Sequence, residues 1–70
     1  MTTFRSVYSS TVAKVGYDEK TNEMHVVWQT GKHSIYSGVS QDEFDSISTD
    51  FSVGKAIHQR LKGKYDHRYG

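Results

Sequence analysis

The hydrophobic period of this chain changes once, and that change dictates a mixed fold. Between residues 12 and 28 apolar side chains recur at every second position. From Val53 onward they recur at every fourth, through Ile57, Leu61 and Tyr65. Period two sends alternate side chains to opposite faces of a strand, whereas steps of four draw one stripe along a helix. Strands therefore come first and helices after. The expected architecture is α+β, a small three-stranded antiparallel sheet packed against two C-terminal helices.

Residues 12–17 read as a strand with Ala13, Val15 and Tyr17 inward, followed by a polar turn over 18–22. Met24, Val26 and Trp28 share one face of the next strand, with His25, Val27 and Gln29 on the other. Thr30-Gly31 punctuates a hairpin into residues 33–36. A loop of two residues or of three fits equally, and that parity decides whether Ile35 or Tyr36 shares a face with Trp28. Ser40-Gln41-Asp42-Glu43 has the form of a capping box, in which the Ser40 hydroxyl accepts from the Glu43 amide and the Glu43 carboxylate reaches back. Phe44 and Ile47 give that short helix its buried side. Ser52 is the expected N-cap of the second helix, with Lys55, Gln59 and Lys62 on its wet face, Arg60 and Lys64 flanking the stripe, and Gly63 near its end. Val39, Val53, Ile57 and Leu61 complete the expected core. Residues 1–8 are expected to be extended or poorly ordered, and 66–70 to form a tail.

Seventy residues hold one domain, expected as a monomer or small homo-oligomer. Without cysteine the chain has no disulfide frame and no thiolate zinc site. Nothing in it resembles a membrane span or a secretory leader, which fits a cytoplasmic protein with no membrane partner. The net charge of +1 hides an asymmetry. Residues 40–50 carry Asp42, Glu43, Asp45 and Asp50 with no base, whereas residues 51–70 carry Lys55, Arg60, Lys62, Lys64 and Arg68 against Asp66 alone. The chain is acidic and then basic, a pattern that bears on partners more than the total does.

The order of short motifs resembles the KTSC domain, a module named for the C-terminus of some lysyl-tRNA synthetases and also found free-standing in bacteria and phages. The resemblance begins at Ser9-Ser10-x-Val12 and Val15-Gly16-Tyr17-Asp18, and continues through Met24-x-Val26-x-Trp28-x-x-Gly31. It resumes at Tyr36-x-Gly38-Val39 and Phe44, and ends with Ser52-x-Gly54 and Leu61-Lys62-Gly63-x-Tyr65. The family's central Tyr-x-Tyr reads Ser34-Ile35-Tyr36 here, and the proline that often follows its valine is Ser40. The resemblance implies a small α+β module, and the link to a synthetase appendage suggests contact with RNA.

The chemistry-bearing residues favour binding over catalysis. No Walker loop, nucleophile elbow or outstanding carboxylate pair is present, and so small a domain has little room for a substrate pocket, so the chain is expected not to be an enzyme. The histidines do not read as a metal set, nor is any cofactor implied. His58 and His67 would fall on opposite sides of a continuous helix, and His25 and His33 lie on neighbouring strands without need to face each other. The best surface is the basic C-terminal stretch. Lys55, Arg60, Lys62, Lys64 and Arg68 would meet phosphates while Tyr36 and Tyr69 stack on bases, the footprint of a module that contacts RNA or other nucleic acid. Ser52, Gly54 and Lys55 form a candidate anion site at a helix start. The alternative is a protein-interaction adaptor or inhibitor, of phage or bacterial type, using the acidic helix or an aromatic sheet face.

Overall fold

The computed structural model describes residues 3–70. The elements follow in the order β1 (Thr3–Ser6), β2 (Val12–Asp18), β3 (Glu23–Trp28), β4 (His33–Ser37), α1 (Gln41–Ser48), α2 (Val53–Arg60) and β5 (Asp66–Tyr69). The α+β class is as expected, but the sheet has five antiparallel strands in the order β1-β2-β3-β4-β5, not three, and the helices are inserted before the last strand. Both additions are edge strands of four exposed residues. They are held by backbone pairing and carry no apolar alternation, so periodicity alone could not reveal them. The expected tail over 66–70 is therefore mostly strand, pairing with β4 from Ser34↔Tyr69 to Ser37↔Asp66.

One face of the sheet carries the core. Val15, Tyr17, Met24, Val26 and Tyr36 pack there beneath Val39, Phe44, Ile47, Val53, Ile57 and Leu61. Val12 joins them in place of Ala13, because a bulge in the β2–β3 ladder between Val12 and Lys14 resets the alternation and turns both Val12 and Val15 inward. The β3–β4 register pairs Met24 with Tyr36 and His25 with Ile35. Tyr36 thus shares the face of Trp28, and Ile35 points the other way. Tyr17 stacks on Phe44 at 5.2 Å between ring centroids, and its hydroxyl donates to the Val39 carbonyl oxygen at 2.7 Å. That bond closes the sheet onto the start of α1.

The Ser40 hydroxyl accepts from the Glu43 amide at 3.1 Å, as a capping box requires. The Glu43 carboxylate, however, turns to Arg60 on α2, with Arg60 Nε to Oε1 at 2.9 Å. Ser52 precedes α2 without a side-chain cap. The stripe from Val53 to Leu61 is buried as read, but α2 stops at Arg60 and the Lys64 and Tyr65 amides both donate back to the Leu61 carbonyl. His67 lies on β5, so it and His58 never share a helix.

The other face of the sheet is free of helices. Register places Phe4, Gly16, His25, Ile35 and Arg68 in one row across all five strands. The Phe4 ring lies over Gly16, where a Cβ would sit 2.7 Å from ring carbons. Glycine is needed at that position so that the edge-strand aromatic can lie flat on β2.

Candidate nucleic-acid interface

Two hollows open between the sheet end and α2. The first, about 660 Å³, is bounded by Trp28, Lys32 and Tyr36 from the hairpin, His58 and Lys62 from the α2 side, and Tyr69 from β5. The second, about 1400 Å³ and broadly open, runs past Tyr8 and Phe51 to Lys55. Ser10, Thr11, Trp28, Gln29 and His58 border both, so the two form one trough with Trp28 at the junction.

Each wall has a local cause. The Trp28 indole N–H donates to the buried Ser34 hydroxyl at 2.9 Å, which fixes the ring half-buried at the end of β3 and satisfies the only buried polar side chain of the core among the described residues. Tyr36, at 6% exposed, forms the floor. His67 lies against it at 4.9 Å and meets Tyr69 edge-on at 4.7 Å. This relay holds Tyr69 beside the floor while leaving it 70% exposed. Burial, and secondarily Tyr69, pushes the Tyr36 phenol pKa up. On the far side α2 approaches the Ser9–Thr11 turn so closely that a Cβ on Gly54 would lie 2.4 Å from Thr11 Oγ1. Gly54 thus serves the packing of α2 against that turn, and Lys55 projects beside it into the second hollow.

The expected site residues separate into two groups. Lys55, Lys62 and Tyr69 border the trough with Tyr36 beneath, and Lys64 is exposed without bordering either hollow. The side chains of Lys55, Lys62 and Lys64 have no hydrogen bond or ion pair among the described residues. Arg60 and Arg68 do. Arg60 forks onto Glu43 and also donates to Ser46 Oγ at 2.7 Å, and Arg68 pairs with Glu23 and holds β5 to β3 across β4. Hydrogen bonding to Arg68 in turn lowers the Glu23 pKa.

Sequence reasoning passed over Lys32, His58, Tyr8 and Phe51 as members of the site. Tyr8 and Phe51 are the largest apolar side chains in otherwise polar loops and both are fully exposed. For Phe51, an isolated aromatic between Asp50 and Ser52 was the available signal. Among the described residues no carboxylate borders the first hollow; in the second, Asp50 accepts from the Ser52 amide at 2.9 Å.

The model of one family, the KTSC domain, matches residues 8–65. The chain belongs to the KTSC domain family. The crystal structure of a KTSC domain protein from Yersinia pestis has the same fold, with a TM-score of 0.93 and 21% sequence identity over 100% of this chain and 99% of that one. The strand pairs at both edges of the sheet lie within the region shared with that structure. A comparison of the sequence with curated proteins found no match. Among the described residues no helix is long and apolar enough to cross a membrane, and no three His, Cys, Asp or Glu side chains converge to hold a metal ion.

Proposed function

We propose that this KTSC domain is a non-catalytic module that binds single-stranded RNA along the trough. One observation carries the reading. Of the four large apolar side chains left exposed among the described residues, Tyr8, Phe51 and Tyr69 all border this single trough, interleaved with the unpaired cations Lys32, Lys55 and Lys62. Water-exposed aromatic faces cost hydration free energy unless something stacks on them, and bases offer a flat partner at every step of a strand. Lysines without a carboxylate partner are the groups that gain most by neutralising phosphate. Ser10, Thr11 and Gln29 add hydrogen-bonding partners for base edges and ribose hydroxyls.

A titration of labelled single-stranded RNA over a salt series tests this, with Lys55→Glu/Lys62→Glu alongside. Three phosphate contacts on a single strand give a log–log slope of about −2, so affinity falls on the order of 20-fold between 50 and 200 mM salt. The double variant should bind weakly at every salt concentration. Binding that ignores salt, or a variant that binds like the parent, refutes the proposal.

A second reading, a protein-interaction adaptor, draws on the complete exposure of Phe51 and Tyr8. It predicts a stoichiometric complex with one protein that survives nuclease treatment and is lost in Phe51→Ala. The acidic helix contributes less to it, because Glu43 and Asp45 are occupied by Arg60 and Arg5.

A further inference from the structure

On the face of the sheet away from the helices, His25 and His33 meet. The register pairs His25 with Ile35 and Val27 with His33, which makes the two histidines diagonal neighbours on β3 and β4. His25 Nδ1 and His33 Nε2 stand 2.9 Å apart, with ring centroids at 5.0 Å and the planes tilted by 50°. Phe4 from β1 abuts both rings edge-on, at 6.0 and 6.4 Å, and Gly16 is the residue that lets it lie there. Neither histidine borders the trough.

Imidazole nitrogens bound to one ion at about 2.0–2.1 Å, with an angle between square and tetrahedral, stand about 2.9–3.4 Å apart. The observed separation is at the near end of that interval, and ligation requires each ring to turn so that its lone pair leaves the N···N line for a common point. We propose that His25 and His33 form a two-histidine site for a borderline transition metal ion such as Zn²⁺ or Cu²⁺, ligated through His25 Nδ1 and His33 Nε2 with water in the remaining positions. The ion takes the place of the single proton that now lies between the two nitrogens. For the neutral pair that proton moves to the remote nitrogen of the ring that carried it, so each imidazole presents a lone pair to the ion and keeps one N–H. Phe4 supplies an apolar wall on one side. Two protein ligands give a weaker site than a structural three- or four-ligand one, and the affinity order should follow copper over zinc.

The test is a Zn²⁺ titration of the whole chain followed by the histidine ring resonances in NMR, which locates the ion in the parent protein without any substitution. The resonances of His25 and His33 should move together and saturate at one ion per chain, with those of His58 and His67 unmoved. His25→Ala and His33→Ala should each weaken binding about tenfold or more, and His58→Ala should leave it unchanged. Zn²⁺ should also raise the melting temperature of the parent and of His58→Ala but not of the other two. Movement centred on His58 or His67, or an unaltered Zn²⁺ affinity in His25→Ala/His33→Ala, overturns the site.

Discussion

The acidic and basic halves of the C-terminal region use their charges in opposite ways. In α1, Glu43 and Asp45 are each answered by an arginine from elsewhere in the fold, and the Arg5 guanidinium that reaches Asp45 also lies 5.0 Å from the centre of the Phe44 ring. The stretch from α2 to β5 spends Arg60 and Arg68 on carboxylates but leaves Lys55, Lys62 and Lys64 unpaired. A guanidinium presents a planar fork suited to clamping a carboxylate, while an ammonium on a flexible stem is a mobile point charge. The arginines tie elements of the domain together, and the exposed lysines are left for the proposed phosphate contacts.

The largest expected effect lies on the assembling side. Phe44→Ala removes the ring stacked on Tyr17 beneath Arg5 and should destabilise the fold by about 3–5 kcal/mol, read as a fall in denaturant midpoint with unchanged slope. Tyr69→Ala should leave stability nearly unaltered but cost RNA affinity about 1–3 kcal/mol through a lost stacking platform. A variant that loses fold and not affinity would place Tyr69 with the structural group. Arg60→Gln should lower stability by less than about 1 kcal/mol, since the pair is partly exposed, and leave the salt slope of binding unchanged. Lys64→Ala should have the smallest effect of the set on either measurement.

Acid bears on the same contrast. His25 titrates below its ordinary value because burial and then His33 oppose its charge, against the pull of Glu23 and Asp18 and alongside Arg68. The unfolded chain therefore takes up that proton first, and stability falls as the pH drops below about 6.5. Glu23 is shifted down by its bond to Arg68. Its contribution is present above the unfolded carboxylate value of about 4.3 and is lost as the pH falls through the lower folded value. The two slopes share a sign, so the melting temperature should be lower at pH 3 than at pH 7. Glu23→Gln should flatten only the part below about pH 4.5.

Where apolar residues repeat, the fold was legible. The inner strands, both helices and the stripe from Val53 to Leu61 follow directly from period. The edge strands did not, because Thr3–Ser6 and Asp66–Tyr69 are exposed along their whole length and gain their place from backbone pairing. The bulge that exchanges Ala13 for Val12 was invisible for a related reason. It shifts parity by one residue without a glycine or proline to mark it. In the site, spacing singled out the lysines but could not separate them from Arg60 and Arg68, whose carboxylate partners lie 17 and 45 residues away in the chain. Lys32, Tyr8 and Phe51 sit in loops, where no period exists to read. The facing of His25 and His33 depended on the hairpin parity that the sequence left open.

Trp28 is the single tryptophan of the chain and stands where the two hollows meet, so its own fluorescence reports on the trough without a label. The most direct measurement follows that fluorescence during titration with a short uridine oligonucleotide at low and at physiological salt, in the parent and in Lys55→Glu/Lys62→Glu. Saturable quenching that weakens with salt and is largely lost in the double variant is the expected result. An emission that stays unchanged at low salt, or quenching equal in parent and variant, would contradict a nucleic-acid trough and leave the exposed aromatics to a protein partner.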